Sequence, residues 1–154
     1  MKFIALFKRI FPDTFDNQYQ GHKLSQYVFY ILTGLTLWRS QHHLFAADGG
    51  AQTIATIPLD TFTNLGAQAV VGAFGLWGLS QLTIGILYLI VSIKYRSMIA
   101  VMYLLMLFEY SVRATYFPIF KQIPTMGTAP GAAGNLPLII ISAVMLVLSI
   151  RSPK

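Results

Sequence analysis

The stretch MIAVMYLLMLFEYSVRATYFPIF, residues 98–120, decides the fold. A lipid-spanning helix needs about 20 predominantly apolar residues, and this stretch meets that length while carrying Glu109 and Arg113 in its middle. An ionisable pair at that depth must face protein or water. Each such charge costs about 2.5 to 3.5 kcal/mol on insertion scales, and Glu four residues before Arg is the favourable order for neutralising both along one helix.

Working outward, the 154 residues are 55% hydrophobic and only 10% charged, a balance unlike that of soluble domains. Four apolar segments emerge, at about residues 24–45, 66–93, 97–120 and 135–150. They lack the period-2 alternation of barrel strands and exceed their length. The expected fold is an all-α integral membrane protein, a single domain of four transmembrane helices in an antiparallel bundle. The second segment is longer than a bilayer needs, which predicts strong tilt or an interfacial turn around Ala67 to Val71. The fourth is short; Pro130 and Pro137 argue for a loop followed by a Pro-initiated helix, with a turn borrowed from residues 129–134 as the alternative.

Basic residues in short loops stay cytoplasmic. Lys2, Lys8, Arg9, Lys23, Lys94, Arg96, Arg151 and Lys154 fall on one side of this topology, against Lys121 opposite and Arg39 at a helix end. Both termini are therefore expected in the cytoplasm. The net charge of +6 is accounted for by topology and by attraction to anionic lipid, leaving nucleic-acid binding without support. Tyr27, Tyr30, Tyr88, Tyr95 and Tyr103 are expected as inner-surface anchors, and Trp38, Phe45, Tyr116 and Phe117 as outer ones. Within the cytoplasmic segment 1–23, MKFIALFKRIF mixes Phe3, Ile4, Phe7 and Phe11 with Lys2, Lys8 and Arg9. It reads as a short helix lying on the inner surface, with partner docking as the alternative. A signal peptide is the weaker alternative, because the apolar core Phe3 to Phe7 is short for one and no small-residue cleavage site follows.

The chain has no cysteine, which removes disulfide relays, thiolate nucleophiles and Cys-ligated metal. P-loop, H-E-x-x-H, G-x-S-x-G and G-x-G-x-x-G motifs are absent. The intramembrane polar residues are placed by counting from the turn at Lys94 to Arg96. With Tyr95 as its centre, Gln81 lies fourteen residues before and Glu109 fourteen after. A hairpin sets both at one depth, about 20 Å along each helix, where they can hydrogen-bond. The same count levels Arg113 with Trp77, whose indole face suits a guanidinium. Gly72, Gly75, Gly78 and Gly85 thin the second helix for close helix contact.

Arg39, Gln41, His42 and His43 end the first helix, and Asn135 begins the fourth. With Arg113 and Tyr116 they are candidates to rim an outward-facing pocket, and the Gly/Ala-rich stretch TMGTAPGAAGN, residues 125–135, reads as a solvated loop or a lid over it. Adjacent His42 and His43 point about 100° apart on a helix, so they do not form a metal site in the manner of an i,i+4 pair. No metal is expected, and the sequence names no cofactor.

The motifs WGLSQL, YLIVSIKYRS, LFEYSVR and TAPGAAGN between Trp77 and Asn135 resemble the small four-helix bacterial membrane proteins grouped as DoxX-like. The resemblance implies a bacterial inner-membrane four-helix bundle, with some relatives serving as subunits of quinone-linked oxidoreductases. It transfers no catalytic residue, and the family's cysteine-bearing variants have no counterpart here. Three functions follow from the residues. The first is a noncatalytic membrane subunit that docks onto itself or onto another membrane protein. The second is binding or transport of a small anionic or lipid-like molecule around Glu109 and Arg113, with Gln81, Trp77, Arg39, His42, His43, Asn135 and Tyr116 as candidate lining. The third is a membrane enzyme using Glu109 with His42 or His43, which needs carboxylate and imidazole within reach of one substrate atom.

Overall fold

The computed structural model describes residues 2–151, so Lys154 lies outside the described residues, as do the side chains of Lys2 and Phe3. Among the described residues the chain is all-helical, without strands. The order is α1 (Lys2–Ile10), α2 (Lys23–Phe45), a 3-10 turn (Leu59–Thr61), α3 (Asn64–Lys94), a 3-10 turn (Arg96–Met98), α4 (Ile99–Phe120), α5 (Pro130–Ala133) and α6 (Asn135–Ser149).

Local chemistry sets the helix ends. At the start of α2 the His22 Nδ1 accepts from the Leu24 amide at 3.1 Å, and at the start of α3 the Thr63 hydroxyl accepts from the Gly66 amide at 3.2 Å, each satisfying an amide the first turn leaves open. Pro118 sits in the last turn of α4; lacking an N–H, it cannot donate to the Ala114 carbonyl four residues back, and the helix stops two residues later. Pro130 begins the single turn α5, the position where its fixed φ favours a helix start.

Three stretches, Asn64–Lys94, Arg96–Phe120 and Pro130–Ser149, are long and apolar enough to cross a membrane. The first predicted segment is not among them, although α2 has 23 residues. Polar side chains dilute its hydropathy, but Ser25, Thr33, Ser40 and His43 are turned into the protein. Of the two expectations for the second segment, strong tilt or an interfacial turn at Ala67 to Val71, the turn is not formed: α3 runs unbroken for 31 residues, about 46 Å at 1.5 Å per residue. Its excess over a hydrocarbon core of about 30 Å carries a small cap. There Ala51, Ile57 and Leu59 are buried against Val70, Val71 and Phe74.

The helices pair as α2 with α3 and α4 with α6, and α2 also meets α6. Although a tight turn joins α3 to α4, the two touch only lightly. Gly78 explains the α2/α3 intimacy, because a Cβ there would sit 2.6 Å from the Leu44 nitrogen and 2.7 Å from the His43 carbonyl carbon. Gly72 and Gly75 have nothing within 4 Å, so only part of the glycine series serves this contact.

The main core joins Phe29 of α2, Tyr88 and Val91 of α3, and Ile99, Met102, Tyr103, Met106 and Tyr110 of α4. Phe29 meets Tyr88 and Tyr103 edge-on at 5.6 and 5.8 Å, a favoured aromatic geometry, and the Tyr103 hydroxyl donates to the Ser25 carbonyl at 2.6 Å. Tyr88 and Tyr103 are thus core residues and not surface anchors; Tyr27 and Tyr95 are exposed. The other bundle end gathers the N-terminal segment, the α3–α4 turn and the end of α6. Asp16 and Ser97 exchange two hydrogen bonds at 3.0 Å, Arg96 donates to Asn17 at 2.7 Å and Arg9 donates to the Ile150 carbonyl at 2.6 Å.

Candidate functional site

Three helices deliver polar groups from their apolar stretches to one place. Arg39 of α2 donates through Nη2 to Gln81 Oε1 of α3 at 2.7 Å. Gln81 is buried. Its partner is therefore Arg39 and not Glu109, because α2 packs on α3 at this level. Glu109 of α4 pairs with Arg113 at 3.4 Å, their side chains 36% and 19% exposed.

Arg39, Gln81 and Glu109 line a shared cleft with Thr36, Tyr88 and Tyr110. Its cavity is about 20 Å³, room for about one water molecule and far below the roughly 300–1,000 Å³ of ligand pockets. The Arg39 Nε is buried without a protein partner. The cluster sums to one positive charge, two guanidiniums against one carboxylate.

Arg113 continues toward the cap as part of a stack. Its guanidinium lies 5.5 Å from the Trp77 ring centroid and 5.6 Å from that of Tyr110, within cation–π range. Trp77 in turn lies 4.6 Å from the His43 ring, and Phe74 completes the group at 5.6 Å from Trp77. His43 is buried, with Nδ1 2.8 Å from the Gly49 carbonyl oxygen. A carbonyl only accepts, so Nδ1 carries the proton and donates. His43 is a clasp between α2 and the cap loop, and His42, one residue before it, is exposed. Neither histidine lines the Glu109 cavity.

Two further candidates lie away from that cavity. Tyr116 is largely exposed and packs on Phe117 and Phe120. Asn135, at the start of α6, has its side-chain oxygen buried without a partner and does not line the cleft. Among the described residues no group of three His, Cys, Asp or Glu is placed to hold a metal ion.

Sequence reasoning missed the ordered cap. Asp48 accepts from the amides of Gly50, Gln52 and Thr53 at 2.8, 3.1 and 2.8 Å. Burial pushes its carboxyl up, but these amides and the Thr53 hydroxyl together hold it below its ordinary 3.8. Thr56 has φ 57°, a conformation β-branched residues rarely adopt. It bonds the second loop three times, accepting from the Met126 amide at 2.8 Å, donating to the Gly127 carbonyl at 3.0 Å and accepting from the Gly127 amide at 3.2 Å. The stretch read as loop or lid is thus tied down at one point. The Asp-Gly-Gly run at 48–50 was the available signal for the turn; Gly49 and Gly50 both have positive φ. Nothing in the residue types marked Thr56.

Compared with known proteins, the chain matches no family model, no curated protein and no solved structure.

Proposed function

We propose that the chain is a noncatalytic component of a membrane assembly, a four-helix inner-membrane protein that associates with its own copies or with another membrane protein. One observation carries this reading: the polar groups of the candidate site have protein partners, and the cavity that Arg39, Gln81 and Glu109 line is only about 20 Å³, one water in size. Arg39 holds Gln81 across α2 and α3, which sets helix register, and Glu109 holds Arg113 along α4, which neutralises both charges within one helix. The acid–base alternative needs an imidazole beside Glu109, and neither histidine lines that cavity.

The topology has support of its own. The inward-turned polar side chains of α2 leave its outer face apolar enough to join three evident spans, giving four. Lys8, Arg9, Lys94, Arg96 and Arg151 collect at the α1 end of the bundle and Lys121 stands at the cap end, a distribution that by the positive-inside rule supports cytoplasmic termini. The DoxX-like sequence resemblance points to the same bacterial inner-membrane setting.

A second reading, binding of a small anionic group, is favoured by the excess guanidinium charge and the unpartnered Arg39 Nε. Native mass spectrometry of protein released gently from its own membrane separates the two. The assembly reading expects a defined complex with protein partners or further copies and no small mass that Arg113→Leu removes; a monomer carrying one reproducible small mass, lost in Arg113→Leu, overturns it in favour of the anion.

A further inference from the structure

Beneath α1, at the end of the bundle opposite the cap, lies a second cavity of about 290 Å³. Its walls come from five parts of the chain: α1, the segment after it, the 3-10 turn Arg96–Met98, the start of α4 and the end of α6. Two cations, Lys8 and Arg9, and two carboxylates, Asp13 and Asp16, line it together with Tyr19 and Ser97. We propose that this cavity binds the zwitterionic phosphoethanolamine headgroup of a membrane phospholipid.

Charge selects the headgroup class. A purely anionic headgroup would gain Lys8 and Arg9 but face Asp13 and Asp16 as well, whereas a zwitterion satisfies both signs. A primary ammonium offers three N–H donors to carboxylate oxygens, which a quaternary ammonium lacks. Lys8 Nζ and Asp13 Oδ2 lie 2.7 Å apart at the rim, with side chains 58% and 71% exposed. The pair is free to open around a headgroup, Lys8 turning to the phosphodiester and Asp13 to the ammonium. The deeper wall is held in place without the ligand. Ser97 grips Asp16 through both backbone groups, Asp16 Oδ1 accepts from the Gln18 amide at 2.9 Å, and Arg9 is anchored on the Ile150 carbonyl.

Size and position select a lipid. A volume of about 290 Å³ is at the lower edge for ligand sites; it suits a headgroup and leaves the acyl chains outside. Beside it α1 presents Ile4, Leu6 and Phe7, followed by Phe11 and Phe15, all exposed. Such a basic helix with an open apolar side is the form that lies in a membrane interface, where acyl chains would run along it. The site is independent of whether the protein assembles with partners.

The test is native mass spectrometry of the full chain in detergent, titrated with phosphatidylethanolamine, phosphatidylglycerol and phosphatidylcholine of identical acyl chains, and with soluble glycerophosphoethanolamine. One phosphatidylethanolamine per chain is expected, retained about fivefold over the other two lipids, the factor that about 1 kcal/mol of exposed charge pairing supplies. Lys8→Gln and Asp13→Asn change exposed side chains, leave the helical far-UV spectrum intact and abolish that preference; Asp13→Asn additionally raises phosphatidylglycerol retention. Equal retention of the three lipids, or a preference untouched by both variants, overturns the site. Binding of glycerophosphoethanolamine as tight as that of the lipid overturns the lipid assignment.

Discussion

Replacing Gly78 with alanine puts one methyl group where the protein has backbone. The added Cβ would lie 2.6 Å from the Leu44 nitrogen and 2.7 Å from the His43 carbonyl carbon, atoms that cannot rotate away as a side-chain tip would. Overpacking of a close-packed contact costs about 1–3 kcal/mol, and the backbone neighbours put Gly78→Ala in the upper half of that range. At about 2–4 °C per kcal/mol for a chain of this size, melting in detergent should fall by about 4–12 °C. Gly85→Ala meets the flexible Leu37 Cδ2 at 2.9 Å and should cost less. Gly72→Ala and Gly75→Ala meet nothing within 4 Å, so removal of glycine's backbone entropy should stabilise each by about 0.5–1 kcal/mol. The assay is thermal unfolding of the four variants followed by far-UV circular dichroism. Gly78→Ala melting within about 1 °C of wild type, or Gly72→Ala falling as far as Gly78→Ala, would refute the packing of α2 on α3 argued here.

Acid should loosen the cap through Asp48. Its carboxyl is held below the ordinary 3.8, so its contribution is present above that value and disappears as pH falls through the lower folded value; melting of wild type should drop more steeply than that of Asp48→Asn between about pH 5 and pH 2. Thr56→Val removes both hydroxyl bonds to Gly127 and, at about 0.5–1.5 kcal/mol per bond, should increase proteolysis within residues 121–129, while Thr56→Ser should not. Tyr103→Phe leaves the Ser25 carbonyl without its donor at 2.6 Å and should lower stability by about 1–2 kcal/mol in chemical denaturation.

Apolar length alone made α3, α4 and α6 legible, because each carries a run that only lipid or a core can accept. Depth was legible too: Arg113 lies over Trp77, the level obtained by counting from Tyr95, and Gln81 and Glu109 line one cleft. Azimuth was not. Counting along two helices cannot show that α2 lies against α3 and takes Gln81 for Arg39. Tyr88 and Tyr103 misled for a related reason, since an aromatic near a helix end serves equally as interface anchor or core, and only the packing of Phe29 between them decides. The cap escaped notice because its order rests on backbone conformation at Gly49, Gly50 and Thr56 and on amides gathered by one carboxylate, neither of which has hydrophobic periodicity.

The claim that the intramembrane charges serve structure is tested most directly by a double-mutant cycle on Glu109 and Arg113, read as unfolding free energy in detergent. Arg113→Leu leaves Glu109 with only the Arg39 side of its cleft and Glu109→Gln leaves Arg113 with only the Trp77 and Tyr110 rings, each at a cost of about 1–2 kcal/mol, below the full insertion penalty because both side chains are partly exposed. The double variant should cost less than the sum, with a coupling of about 1–2 kcal/mol. Single variants as stable as wild type, or costs that add without coupling, would contradict the structural account.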